Sequence, residues 1–262
     1  MKPYGVVGFC CCCLIASGCT SLEGEDYGVF DPYETNNRRS YDVTDSVDRA
    51  VLVPVARGYR KVLPDWFERG LSKMFQNLRT VDSSVNGFLQ GKPKSGGIDF
   101  ARILINATIG VGGFFDVASR WDLPYQDEDL GQTLAVWGIK KSRYLYVPFF
   151  GPSTLRDLPS DVIRSWVPQM LFGGDIHWGV SVVDLVRARA GALAASDIRD
   201  ASALDPYAFT RDAYFQRRRF LIYDGDPPLE DFFSDFGEED FGEEDSSEQD
   251  EASEDASVEV TD

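Results

Sequence analysis

Between residues 98 and 109 the chain offers only three clearly polar side chains, Asp99, Arg102 and Asn106. At about 100° per residue these fall in one stripe roughly 60° wide, and the rest of the helical circumference is apolar. A helix of this kind is either buried in a large core or turned toward lipid, because an ordinary surface helix keeps a broad polar face. Directly after it comes Gly110-Val111-Gly112-Gly113-Phe114-Phe115. That stretch is apolar, and its glycines give the backbone a place to turn and flex.

Charge divides the chain unevenly. Of 43 acidic residues, 18 lie between Asp224 and Asp262, where there is no Lys or Arg, so the remainder carries 25 acids against 26 bases. The net charge of −17 therefore describes a near-neutral body with an acidic tail. Like charges repel there and apolar residues are few, so residues 225–262 are expected to stay disordered. Within the tail, Asp231-Phe232-Phe233, Asp235-Phe236-Gly237 and Asp240-Phe241-Gly242 space aromatics among acids. That pattern is either a solubilising tail or a lure for a basic partner. The body has no surplus of Lys and Arg with which to displace counterions from a duplex, so nucleic acid is not an expected partner.

All five cysteines lie within the first 19 residues, at Cys10, Cys11, Cys12, Cys13 and Cys19. The body can therefore form no disulfide and no Cys-ligated metal site. Lys2, the apolar run 6–15 and Ala16-Ser17-Gly18 before Cys19 read as a secretory signal, since ten apolar residues fall short of the roughly 20 that span a bilayer. Small residues ending at a cysteine suggest a bacterial lipoprotein signal, with Cys19 acylated as the first mature residue; a plain signal with incidental cysteines is the alternative. Thr20 after the cysteine, in place of Asp, suggests sorting to the outer membrane. The expected organisation is a signal over 1–18, a lipidated tether over 19–29, one folded domain over 30–224 and the tail over 225–262.

The body reads as mainly helical. Pro64 at a first helical position opens a segment through Leu89, and Gly91 with Pro93 stops it. A second helix is expected over 178–196, and Asp205 before Pro206 caps a third that runs to about Tyr223. Residues 144–150 are the best candidate strand, ended by Gly151-Pro152.

Motifs for chemistry are missing. Gly110-Val111-Gly112-Gly113 lacks the third glycine of a dinucleotide loop, Phe115 standing there, and Gly91-Lys92-Pro93-Lys94-Ser95 lacks the glycine spacing of a P-loop. There is no G-x-S-x-G elbow, and the single histidine, His177, reads as a structural residue beside Trp178. Asp127-Glu128-Asp129 could pair carboxylates for glycoside cleavage, but an exposed acidic turn is the commoner use. No cofactor and no metal site is expected, and the chain is not expected to be an enzyme.

Several stretches taken in order resemble the MlaA (VacJ) family of outer-membrane lipoproteins. They include Asp31-Pro32-Tyr33-Glu34, Val53-Pro54-Val55-Ala56, Asn86-Gly87-Phe88-Leu89-Gln90-Gly91 and Gly110-Val111-Gly112-Gly113-Phe114-Phe115-Asp116-Val117-Ala118. Later come Leu130-Gly131-Gln132-Thr133-Leu134, Pro148-Phe149-Phe150-Gly151-Pro152-Ser153-Thr154-Leu155-Arg156-Asp157, and Asp205-Pro206-Tyr207 through Arg211-Asp212-Ala213-Tyr214-Phe215-Gln216-Arg217-Arg218. The similarity runs from about Phe30 to Asp224.

The resemblance implies a mainly α protein: a ring-like bundle of amphipathic helices with a central channel and few or no strands, lying in the inner leaflet of the outer membrane. It implies removal of phospholipids misplaced in the outer leaflet and their delivery to an MlaC-like periplasmic carrier, with trimeric porins as further partners. A structural lipoprotein that scaffolds porins without moving lipid is the alternative. On this reading Cys19 is the lipid anchor, Asp99, Arg102 and Asn106 line the channel, and Gly110, Gly112, Gly113 and Gly138 form its turns or hinges. The family's glycine-rich loop after Trp137-Gly138 reads Ile139-Lys140-Lys141-Ser142-Arg143 here. With Lys140 and Ser142 in place of glycines, the loop is expected to be stiffer and more cationic. Lys140, Lys141 and Arg143 are then expected to attract phosphate headgroups, unless they form only an exposed basic turn.

Overall fold

Helix starts and stops follow from proline and glycine placement. The computed structural model describes residues 29–172 and 176–228, apart from the side chains of 167–172 and 177. The signal, Cys19 and all but the first few residues of the acidic tail thus lie outside the described residues, as does the side chain of His177. Contacts divide the chain into two units after Pro227, and all the described helices and strands belong to the first.

α1 (Glu34–Val47) passes through a π-helical turn (Asp48–Leu52) into α2 (Val53–Val62). Pro54 has no N–H to give Ala50, and the ladder widens to π spacing just ahead of it. Leu63, which precedes Pro64, is extended with ψ 133°, as the proline ring demands of its neighbour. α3 (Asp65–Leu89) starts one residue later than the sequence suggested, because Pro64 sits at the N-cap with ψ 145°. It ends in a Schellman motif: Lys92 N donates to Gly87 O at 2.9 Å and Gly91 N to Phe88 O at 3.0 Å. Gly91 takes φ +74°, which a side chain would oppose. α4 (Pro93–Thr108) then folds back on α3.

A 3₁₀ turn (Ala118–Trp121) and an irregular stretch lead to α5 (Leu130–Val136), capped by Asp129, whose carboxylate accepts from Gln132 N at 2.8 Å. The strand expected over 144–150 is shorter, β1 (Tyr144–Val147), and Gly151-Pro152 does not end it but opens β2 (Gly151–Thr154). The two form an antiparallel hairpin with Tyr144 opposite Thr154 and Val147 opposite Gly151. Gly151 has φ +95°, so as the first residue of β2 it closes the three-residue loop. The hairpin rests on α1, where Asn37 Nδ2 donates to Tyr144 O at 3.2 Å and its Oδ1 accepts from Tyr146 N at 3.0 Å.

α6 (Leu158–Phe172) precedes α7 (Ile176–Gly191) and α8 (Leu193–Ser202). The single helix expected over 178–196 is therefore two, broken at Ala192, just after Gly191. α9 (Pro206–Ile222) starts as the sequence suggested, with the Asp205 carboxylate accepting from Tyr207 N and Ala208 N at 3.0 and 3.1 Å. The architecture is mainly α, with the hairpin as its one sheet among the described residues. Tyr41, Tyr144 and Tyr207 form an aromatic core joining α1, β1 and α9, and Ala56, Ala190 and Leu193 form a second, smaller one.

Candidate functional site

The distribution of polarity is reversed from that of a water-soluble domain. Among the described residues, ten buried side chains are hydrophobic and nineteen are polar or charged, whereas in water Asp, Arg and Asn are seldom fully buried. Apolar side chains instead crowd the outside. All five tryptophans, at 66, 121, 137, 166 and 178, are more than half exposed. Trp is highly buried on average in soluble proteins and is favoured at membrane interfaces. No helix among the described residues is long and apolar enough to cross a membrane.

α4 shows the reversal residue by residue. Asp99, Arg102 and Asn106 are 0, 2 and 4% exposed, while Phe100 and Leu104 on the other side are 54 and 52% exposed. The three polar residues share one buried face, and most of their polar atoms are met by protein, Asp99 Oδ1 and Arg102 Nε being buried without a hydrogen-bond partner. Ser83 Oγ donates to Asp99 at 2.5 Å, and Arg102 donates to Ser119 Oγ and Asp116 at 3.0 and 3.1 Å and to Leu123 O. Asn106 Nδ2 donates to Asp116 at 3.1 Å, and its Oδ1 accepts from Ala118 N at 2.9 Å. Burial pushes the Asp99 carboxyl above its ordinary range, only partly offset by Ser83. Burial acts on Asp116 in the same direction but is overcome by hydrogen bonds from Ser119 and by Lys73 and Arg102, which hold it well below that range.

The same network pins the glycine-rich turn. Gly113 N donates to Asn106 O at 2.7 Å and Phe115 N to Gly110 O at 2.9 Å. Gly112 and Gly113 have φ +68° and +91°, and a Cβ on Gly113 would lie 2.6 Å from Asn77 Cβ. Phe114 is held against Gly70, Trp66 and Phe67 of α3. Gly138, at φ +111°, has open space around it, and the neighbouring Trp137 is tied by its indole N–H to Leu89 O at 3.1 Å.

A second charged cluster joins α5, α6, α9 and the hairpin. Arg218 donates to Asp129 at 2.5 and 3.0 Å and to Asp157 at 2.9 Å. Asp157 also accepts from Arg156 Nε at 2.8 Å and from the Tyr214 hydroxyl at 2.7 Å. Burial acts against ionisation of Asp129, but Arg218 and Arg164 hold it well below the carboxylate range. Beside this cluster opens a pocket of about 380 Å³ lined by Asp127, Arg164, Tyr214, Arg217 and Arg218 among others.

Lys140 and Lys141 line a smaller depression with Arg156, Arg218 and Arg219, but Arg143 does not join it. Its guanidinium donates to the Tyr33 hydroxyl at 3.1 Å, and Lys141 lies over the Phe30 ring at 5.6 Å. Arg156 donates to Lys140 O at 2.9 Å, so this stretch is fastened to the charged cluster.

A family model described as MlaA lipoprotein matches residues 29–221. The chain belongs to the MlaA lipoprotein family. It is 34% identical over 217 residues to the intermembrane phospholipid transport system lipoprotein MlaA of Escherichia coli (strain K12), covering 80% of this chain and 85% of that one. The MlaA lipoprotein of Haemophilus influenzae is 32% identical over 209 residues, covering 74 and 80%. A chain solved in work on the structural basis for maintenance of bacterial outer membrane lipid asymmetry aligns with a TM-score of 0.64 at 33% identity, covering 73% of this chain and 98% of that chain.

For this MlaA family member, sequence reasoning misread one segment and missed one cluster. Asp127-Glu128-Asp129 is not an exposed acidic turn, since Glu128 and Asp129 are 2 and 3% exposed. Each has a basic partner from elsewhere in the chain: Lys92 for Glu128 at 3.0 Å and Arg218 for Asp129. The available signal was the spacing of Thr210, Ala213, Tyr214, Arg217, Arg218 and Leu221, which lie on one face of α9. A face carrying two arginines needs acids opposite it.

Proposed function

We propose that this chain is a non-enzymatic phospholipid conduit at the periplasmic side of the outer membrane, anchored through Cys19. It takes phospholipids that have strayed into the outer leaflet and passes them to a soluble periplasmic carrier of the MlaC kind. The observation that carries the reading is the reversed polarity, with tryptophans and aliphatics outside and ionised side chains within. The family supports the substrate, since its Escherichia coli and Haemophilus influenzae members are named as phospholipid transport lipoproteins.

The physical need is clear. Bringing a phospholipid with about 30 tail methylenes into water costs about 25 kcal/mol at roughly 0.8 per CH₂, a wait on the order of days. A useful conduit keeps the tails against apolar surface and gives the headgroup a polar route. A ring of helices around a polar passage meets both demands. In this reading Asp99, Arg102 and Asn106 build the polar wall by fixing its frame, Gly110, Gly112, Gly113 and Gly138 shape its turns, and Lys140, Lys141 and Arg143 draw phosphates toward it. Acylation at Cys19 keeps the body in the membrane, because one acyl chain holds marginally and several hold firmly. Trimeric porins are the neighbouring partners expected from the family.

The test is deletion of the gene followed by measurement of phospholipid in the outer leaflet. The proposal expects a rise that wild-type protein reverses. No rise would leave a scaffold that moves no lipid, and lysophospholipid release by the purified protein would point to an enzyme.

A further inference from the structure

The pocket between residues 127–129, β2, α6 and α9 has a closed floor and a loose rim. On the floor, both terminal nitrogens of Arg218 are taken up by Asp129 and Asp157. At the rim, Asp127 stands 3.6 Å from Arg164 and 3.8 Å from Arg217, and Arg164 stands 3.9 Å from Asp129. These separations exceed the roughly 2.7–3.2 Å of an N–H···O hydrogen bond. Arg217 has a 73% exposed side chain, and among the described residues Asp127 is its one carboxylate partner. Asp127 is braced from behind, its Oδ1 accepting from the Tyr125 hydroxyl at 2.9 Å. Arg164 is braced by Asp82 at 2.9 Å and by Glu128 O at 3.2 Å. Pro152, Ala213 and Leu221 supply an apolar strip beside the three charges.

Two guanidinium groups flanking one carboxylate, with Asp127 and Arg164 braced, Arg217 free to swing and none closely paired across the opening, match a ligand that carries both signs. We propose that this pocket seats the headgroup of a zwitterionic phospholipid, with its phosphodiester between Arg164 and Arg217 and its amine on Asp127. The inference rests on the lipid-transport reading and names the headgroup class. Guanidinium forks fit phosphate oxygens, and a volume of about 380 Å³ suits a headgroup at the lower end of ligand pockets. The tails leave along the Pro152, Ala213 and Leu221 strip. A headgroup ending in hydroxyls would offer Asp127 no counter-charge, so an anionic phospholipid is held less well.

The experiment titrates the full-length lipoprotein in detergent with dihexanoyl phosphatidylethanolamine, dihexanoyl phosphatidylglycerol and inorganic phosphate, following heat. The ethanolamine lipid is expected to bind about fivefold or more tightly than the glycerol lipid. Asp127→Asn should bring the two within about twofold, and Arg217→Gln should weaken both by about tenfold. Asp127→Glu should restore the preference, which separates recognition from misfolding. Equal affinity for the two lipids in the wild type, a preference unchanged in Asp127→Asn, or phosphate binding as tightly as either lipid would overturn the proposal. Loss of headgroup preference with outer-leaflet phospholipid still rising on deletion would sink this site alone. A clear preference without that rise would sink the transport role and leave the site.

Discussion

Arg218 on α9 grips Asp129 with two hydrogen bonds, at 2.5 and 3.0 Å, across 89 residues of sequence. Asp129 is also the N-cap of α5, so one guanidinium ties the last helix of the body to the start of another. The pair is buried, which makes it costly to break from one side.

Replacing Arg218 by Met would leave Asp129 and Asp157 buried without their main cation. The expected loss is about 3–5 kcal/mol of stability, read as a large fall in the thermal midpoint of the detergent-solubilised protein. A fall equivalent to less than about 1 kcal/mol, the range of an exposed pair, would show that the cluster is solvated in solution.

Asp116 and Asp99 both feel the charge of Arg102 yet are shifted in opposite directions, which gives a test by pH. Asp116 is held below its unfolded value, so its stabilisation is full above about pH 4 and fades as pH falls through its folded pKa. Asp99 is raised by burial, so its ionised form opposes folding above its folded pKa and that penalty is relieved as pH falls through it. Asp116→Asn should therefore cost stability at pH 7 and flatten the acid limb of the melting curve against pH. Asp99→Asn should cost little at pH 7, and its standing relative to wild type should worsen on acidification. The same pH trend in both variants would contradict the assignment.

The glycines separate packing from backbone freedom. Gly113→Ala places a Cβ 2.6 Å from Asn77 Cβ at φ +91° and should destabilise by about 1–3 kcal/mol. Gly138→Ala meets open space at φ +111° and should cost the backbone strain alone, about 1–2 kcal/mol. If Gly138 is a hinge of the conduit, that variant should still slow lipid removal several-fold. A Gly138→Ala protein with normal lipid removal would make the residue a turn and nothing more.

Reversing the charge of Lys140, Lys141 and Arg143 together to Glu should slow outer-leaflet clearance by about tenfold or more through lost electrostatic attraction, and added salt should narrow the gap. Unchanged clearance would reduce these residues to a basic turn.

Much of the fold was legible because its signals are local. Gly91 and Pro93 mark a helix end, and Asp205-Pro206 a helix start, through backbone chemistry that no distant contact alters. The polar stripe of α4 was legible for the same reason, since three residues at helical spacing must share a face. What the sequence hid depends on partners far along the chain. The Asp129–Arg218 pair is invisible until α9 is placed against α5, and Glu128 looked exposed until Lys92 was beside it. The second strand was hidden by Pro152, which reads as a terminator but sits in a short hairpin strand opposite Tyr146.

An apolar exterior in contact with lipid around an interior of charged side chains can be checked by tryptophan fluorescence. The lipoprotein would be reconstituted into vesicles whose phospholipids carry bromine on the acyl chains, with iodide as a quencher from the water. Most of the emission from Trp66, Trp121, Trp137, Trp166 and Trp178 should be quenched by the brominated chains and little by iodide. Strong quenching by iodide with none from the brominated chains would contradict it.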